Sequence, residues 1–214
     1  MKDWGSEALK KATLFIPAFL HSPVCLAFIC GICATLTLPP FHLFPLAIPA
    51  YGGLFVLLNR AATRRRAVTL GFFWGWGFCI SGLYWFCIAL LTDPEKFAWL
   101  IPFALFGLTA VIALYSAVFA WLYYGVRRRD VGGALIFAAL WLAVEYARGH
   151  LFTGFPWNLA GYVFNASEAS LQLASVVGIY GLTFIAVLVS LLCVVGRLPR
   201  AVALLTLLVA VGWG

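Results

Sequence analysis

The chain has 214 residues, 64% of them hydrophobic and only 10% charged, with a formal net charge of +7. Soluble domains carry about 25% charged residues, so a water-exposed globular fold is excluded: too few charges exist to cover the core. Nucleic-acid binding is excluded as well, because the basic residues form short clusters between apolar runs rather than one continuous face.

Apolar runs of about 18 residues or more read as membrane spans. Seven helical segments are expected, at 22–38, 43–59, 68–91, 97–124, 134–150, 171–196 and 200–214. The fold class is therefore an all-α polytopic membrane protein with about seven transmembrane helices. Ahead of the first segment, Ala12–Leu20 is also apolar and follows Lys2, Lys10 and Lys11. It either extends the first span or lies along the interface. The basic start also resembles a signal peptide, but six further spans favour a retained anchor. Leu38-Pro39-Pro40-Phe41-His42 separates the first two segments, since proline cannot continue a helix.

The third segment contains "TLGFFWGWGFCISGLYWF", in which Gly71, Gly75 and Gly82 share one helix face. Small residues let helices approach closely in lipid, so this face is a packing seam or a ligand groove. Trp74, Trp76, Tyr84 and Trp85 add aromatic surface, the last two near an interface. The six cysteines all lie in apolar runs. Cys30 and Cys33 have C-x-x-C spacing, but without polar access or partner ligands they read as small apolar side chains. No metal site and no cofactor is expected.

In the fifth segment Glu145 and Arg148 are three apart and can pair on one face, with Trp141 one turn earlier. A charge deep in the bilayer costs about 2.5–3.5 kcal/mol on insertion scales, so such residues are candidates for function, with a structural pin for the next loop as the alternative. That loop, "GHLFTGFPWNLAGY", holds Gly149 and Gly154, Pro156, and the amphipathic rings of Trp157 and Tyr162. His150 reads as an interfacial polar residue. Irregular backbone at membrane depth survives only where protein buries it or water reaches it. The cluster therefore reads as a lipid-headgroup site or entry gate.

If every segment spans once, 12 of the 14 Lys and Arg fall on one side: Lys2, Lys10 and Lys11, Arg60 and Arg64–Arg66, Arg127–Arg129, Arg197 and Arg200. Only Lys96 and Arg148 fall on the other. Basic residues concentrate on the cytoplasmic side, so the N-terminus is expected inside, with Pro39–His42, Thr92–Lys96 and Gly149–Ser170 outside.

These residues also carry a family resemblance. "EYARGHLFTGFPWNLAGY" (145–162) with "LQLASVVGIYGLTFI" (171–185), "LTLPPFHLFPLAIPAYGGLFVLL" (36–58) and "GFFWGWGFCISGLYWF" (71–86) together resemble bacterial apolipoprotein N-acyltransferase. The resemblance runs in order over most of the chain. It implies a multi-pass enzyme of the bacterial inner membrane whose functional face is periplasmic. Such an enzyme moves an acyl chain from a phospholipid to the α-amino group of the diacylglyceryl-cysteine that begins an apolipoprotein. It implies eight spans and a periplasmic nitrilase-like domain between the seventh and eighth, whose Glu-Lys-Cys triad works through a thioacyl-enzyme.

No residue here matches that triad. The chain is expected to be a truncated membrane portion, inactive by itself, whose partners are the nitrilase-like domain, a phospholipid donor and the apolipoprotein acceptor. A natural split protein is the other option. By resemblance Trp157 matches the Phe-Pro-Trp tryptophan beside the lipid substrate, and Glu145 and Arg148 match the Glu-x-x-Arg that holds its loop. Pro156, Tyr162 and Trp85 complete the substrate-binding or loop-supporting candidates. The alternative functions are a non-catalytic membrane scaffold or a small transporter. Against transport, acidic residues are almost absent from the span centres, and no pair of broken helices aims at the midplane.

Overall fold

A computed structural model describes residues 22–152, 154–196, 199, 200 and 202. The expectations for Ala12–Leu20 and for nearly all of 200–214 lie outside the described residues. Every regular element among the described residues is helical. Helix α1 (Pro23–Leu36) starts on proline and is capped by Ser22, whose Oγ accepts from the Cys25 N–H at 3.1 Å.

The expected second segment is not one helix. Pro45 and Pro49 split it into a 3₁₀ turn (Phe44–Leu46), a π turn (Ile48–Gly52) and α2 (Gly53–Arg60). Helix α3 (Arg64–Leu83) is capped by Thr63 and stops well before the expected residue 91; after Tyr84 and Trp85 only the short α4 (Phe86–Ala89) follows. The fourth segment starts as α5 (Pro94–Phe97), passes a π turn (Phe103–Leu108) and continues as α6 (Thr109–Val126). Helix α7 (Val131–His150) is capped by Asp130. The Arg128 guanidinium and the Gly133 N–H hold the Asp130 carboxyl below the usual carboxylate range. After a 3₁₀ stretch (Ala160–Ala166) come α8 (Glu168–Gln172) and α9 (Ala174–Val195), which is kinked at Gly178.

Among the described residues, three helical stretches are long and apolar enough to cross a membrane: Pro94–Val126, Val131–His150 and Ala174–Val195. Helix α3 has the length but begins with three arginines and carries four glycines, two tryptophans and one serine. It is nevertheless the central helix, packed on α1 on one side and α6 on the other. Helix α6 then meets α7, and α7 meets α9. The π turn at Ile48–Gly52 closes the ring by touching both α9 and α1.

Backbone proximity explains the two sides of α3. On α1, Ala27, Gly31 and Ala34 form one fully buried face. A Cβ on Gly31 would collide with the Trp74 carbonyl oxygen and lie 2.8 Å from the Phe78 nitrogen. Gly77 meets the Phe28 carbonyl in the same way. The expected glycine face divides: Gly71 and Gly75 pack on Ser116 of α6, whereas Gly82 meets Thr35 and Asn158. Where glycine removes side chains, backbones and hydroxyls meet instead: Thr35 Oγ1 donates to the Phe78 carbonyl at 2.9 Å and Ser81 Oγ to Thr35 Oγ1 at 2.7 Å.

Above this seam sits an aromatic core. Trp74 is fully buried and donates its Nε1–H to the Ala50 carbonyl at 3.0 Å. Its ring meets Trp141 edge-on at 4.9 Å, and Trp141 meets Tyr51 at 5.3 Å and Phe119 at 4.8 Å. Edge-to-face pairs of this kind add about 0.5–1.5 kcal/mol each beyond burial. One cluster thus joins α3, α6, α7 and the π turn. On the outside of α6, Val111, Leu114, Val118 and Trp121 are exposed at helical spacing, an apolar stripe that suits lipid rather than water.

Gly31→Ala is expected to lower stability by about 1–3 kcal/mol, because the new methyl meets backbone that cannot step aside. Gly107→Ala, with nothing within 4 Å of the added carbon, should leave stability unchanged. Unfolding midpoints of the two variants in detergent compare them directly.

Candidate functional site

The C-terminal turns of α7 carry Trp141, Glu145 and Arg148 on one face, and the chain then has to turn back. Leu151 stops the helix in an extended conformation. Phe152, Gly154 and Asn158 all take left-handed angles, at φ 58°, 75° and 52°. At Gly154 a side chain would also run into the Gly149 carbonyl, so only glycine fits. Asparagine tolerates the left-handed region, and Asn158 uses its amide to donate to the Gly82 carbonyl at 3.1 Å. The Phe155 N–H returns to the Arg148 carbonyl at 2.8 Å, which folds the loop onto the helix end.

Glu145 is 4% exposed and Arg148 6%. The carboxylate is surrounded by donors. Trp141 Nε1–H gives 3.1 Å to Oε1, the Ala160 N–H 3.2 and 3.3 Å to the two oxygens, and Thr183 Oγ1 2.9 Å to Oε2. Thr183 also accepts from the Gly161 N–H at 3.0 Å, which leaves its own proton for Glu145. The Arg148 guanidinium is more distant, with Nη2 3.8 Å from Oε1, too long for a hydrogen bond. Its Nη1 instead donates to the Trp157 carbonyl at 2.8 Å. Hydrogen bonds to a charged group contribute about 1.5–3 kcal/mol each. Three donors therefore outweigh the insertion cost of one carboxylate, and the arginine adds longer-range attraction.

Trp157 is half exposed, and its ring lies 5.5 Å from that of Trp85. Trp85 Nε1–H donates to the Gly82 carbonyl at 3.1 Å. Pro156 sits against Gly149 beside Tyr180. Tyr162 is part exposed and its N–H bonds the Leu159 carbonyl at 3.0 Å. Phe152 projects with 96% of its surface free. His150 stacks on Tyr146, its Nδ1 2.8 Å from the Tyr146 carbonyl. Behind the pair, a cavity of about 20 Å³ lies among α3, α6 and α7, with Tyr115, Ser116, Trp141 and Arg148 in its wall. That is room for one water. Among the described residues no cluster of His, Cys, Asp or Glu could hold a metal.

The structure thus brings Glu145, Arg148, Trp157 and Trp85 into one cluster and leaves Tyr162 at its edge. Sequence reasoning missed Thr183 and Asn158. The one available signal for Thr183 was a hydroxyl within an apolar helix, buried to 0% exposure in the fold.

The class defined by this architecture is a membrane-type helical bundle in which a buried glutamate and arginine pin the loop of residues 149–162. Residues 30–192 match the apolipoprotein N-acyltransferase N-terminal domain. The chain is 41% identical over 165 residues to the apolipoprotein N-acyltransferase of Caulobacter vibrioides, covering 75% of this chain and 31% of that protein. It is 37% identical over 172 residues to that of Brucella melitensis biotype 1, covering 76% and 32%. To that of Rickettsia bellii it is 33% identical over 171 residues, covering 80% and 34%. The chain belongs to the apolipoprotein N-acyltransferase family. It spans about a third of the length of the curated relatives it matches.

Replacing Glu145 by alanine leaves Arg148 buried without its counter-charge, which costs about 3–5 kcal/mol. Glu145→Gln keeps an acceptor for Trp141 or Thr183 and should cost less. Proteolysis within residues 149–162, in detergent, is expected to accelerate strongly for the alanine variant and mildly for glutamine. Equal protection of both would contradict the pinning role of the carboxylate.

Proposed function

We propose that the chain is the membrane portion of an apolipoprotein N-acyltransferase. In this reading the whole protein moves an acyl chain from a phospholipid to the α-amino group of the diacylglyceryl-cysteine at the start of an apolipoprotein. The bond-making step belongs to a nitrilase-like domain with a Glu-Lys-Cys triad, and no catalytic residue is assigned to this chain. The membrane portion presents lipid and apolipoprotein to that domain at the end of the bundle formed by Gly149–Ser170. It carries seven spans with its N-terminus in the cytoplasm, and the loop end faces the periplasm across the inner membrane.

The observation that carries this reading is the arrangement at Trp157. Its carbonyl is held by a buried arginine while its ring stays half exposed against Trp85. A fixed backbone with a free amphipathic face suits a headgroup-level contact. The orientation is supported by the arginines. Arg129 Nη2 reaches the Asn59 carbonyl at 3.1 Å and Tyr124 OH the Ala62 carbonyl at 3.2 Å. Two of the basic segments therefore share one end of the bundle, one length of α7 away from the Trp157 loop.

The test is a hybrid in which this chain replaces the matching part of the Caulobacter vibrioides relative, in cells depleted of their own enzyme. The hybrid should restore N-acylation of lipoproteins, and an inactive but well-inserted hybrid would overturn the reading. Trp157→Ala in the hybrid is expected to reduce acylation at least tenfold without loss of membrane insertion. Orientation has a separate readout: a cysteine at Phe152 should react with an impermeant thiol reagent in intact spheroplasts, and one at Arg65 should not. The reverse pattern would invert the topology.

A further inference from the structure

The opposite end of the bundle holds an arrangement that the acyl-transfer reading does not use. Tyr124, near the end of α6, is flanked by two guanidiniums. The Arg127 carbon lies 3.8 Å from its ring centroid and the Arg64 carbon 5.9 Å. Arg64 also stacks on Trp121 at 4.9 Å. Stacking of this kind fixes a guanidinium plane and leaves its edge N–H groups free to donate. The Tyr124 hydroxyl is itself fixed on the Ala62 carbonyl at 3.2 Å.

Arg127 Nη1 is buried and has no hydrogen-bond partner among the described residues. A buried donor without an acceptor is costly and calls for one. The nearest carboxylate on the same loop, Asp130, is taken up by Arg128 at 2.5 Å and by the Gly133 N–H at 2.9 Å. Among the described residues neither Arg64 nor Arg127 has an ion pair. Immediately beyond them, towards the middle of the bundle, runs the exposed stripe of Trp121, Val118, Leu114 and Val111.

We propose that Arg64 and Arg127, clasped on Tyr124, bind the phosphate of an anionic glycerophospholipid from the adjoining leaflet, with its acyl chains along the exposed face of α6. A small side-chain shift at Arg127 lets a phosphate oxygen reach the orphaned Nη1, and two planar forks match phosphate geometry. Arg65 and Arg66 beside the clasp repel a headgroup ammonium, which disfavours zwitterionic lipids. The apolar stripe distinguishes a lipid from free phosphate, which has no use for it. This inference does not depend on the acyl-transfer reading.

The experiment uses the full chain in lipid-free detergent, titrated separately with phosphatidylglycerol, phosphatidylcholine and inorganic phosphate. Retained ligand is read by native mass spectrometry and stabilisation by thermal melting. Phosphatidylglycerol should be retained and raise the melting midpoint, and phosphatidylcholine should do neither. Loss of a direct hydrogen bond to a charged group costs about tenfold in affinity, so Arg64→Gln with Arg127→Gln should weaken phosphatidylglycerol binding by more than about tenfold. Arg65→Gln with Arg66→Gln removes the same charge and should retain most of the binding.

Equal weakening by the two double variants would mean a diffuse field and overturn the clasp. Equal retention of phosphatidylcholine would overturn the anionic selectivity. Stabilisation by inorganic phosphate as large as that by phosphatidylglycerol would replace the lipid by a free anion. If the Arg64 and Arg127 variant does not fold, Arg64→Lys with Arg127→Lys, which keeps both charges and loses the planar forks, replaces it: weakened phosphatidylglycerol binding is expected, and full retention would overturn the clasp.

Discussion

The buried carboxylate of Glu145 is the constraint on which the loop end of the bundle depends. Its two oxygens collect donors from three separate pieces of chain: Trp141 on its own helix, the Ala160 N–H after the loop, and Thr183 on α9. Only Trp141 is close in sequence to Glu145; Ala160 lies 15 residues away and Thr183 38. Each oxygen left without a donor would be a buried, poorly solvated charge, so the pieces assemble together. Arg148 extends the same network by one step. It is attracted by the carboxylate but spends its hydrogen bond on the Trp157 carbonyl. The ion pair therefore acts through the loop backbone, and the tryptophan ring remains unencumbered.

This network works because α3 brings neighbouring helices close enough for polar groups to meet. Apolar burial offers little drive for helices to associate within lipid, so close packing and hydrogen bonds must supply it. Gly31 and Gly77 let α1 and α3 touch backbone to backbone, and Gly71 and Gly75 do the same for α3 and α6. The close approach on one side places Thr35 and Ser81 in contact. On the other side it sets Trp74 into the aromatic cluster with Trp141, whose Nε1–H is the first donor to Glu145. Packing of the glycine helix and solvation of the buried charge are thus parts of one structure.

Much of this was legible in the sequence where the information is local. Trp141, Glu145 and Arg148 fall on one face at spacings of four and three. The prolines that break 43–59 are visible as prolines. What was not legible depends on which helices become neighbours. Gly82 shares a face with Gly71 and Gly75, yet it meets the loop residue Asn158 rather than α6, because α3 ends at Leu83 and the loop folds over it. Thr183 lies 38 residues from Glu145, and no periodicity announces that pairing. The early end of α3 was hidden by the apolar sequence that follows. Hydropathy alone cannot distinguish a continuing helix from an aromatic turn lying at an interface.

The two ends of the bundle also differ in how their charges are handled. At the loop end both cations have carboxylate neighbours: Lys96 pairs with Asp93 at 2.8 Å, and Arg148 lies near Glu145. At the other end Asp130 follows the arginines of 127–129 in sequence, and Arg128 already occupies it. The difference is therefore larger than residue counts suggest, since the apparent exceptions are neutralised where they stand. Guanidiniums that lack an ion pair among the described residues are tolerated at that end because Tyr124 and Trp121 take part of their surface in stacking. A bundle with one compensated end and one cationic end experiences a torque from acidic headgroups and from a membrane potential. The charge asymmetry that sets its direction in the membrane is also the one that leaves Arg64 and Arg127 free to take an anion.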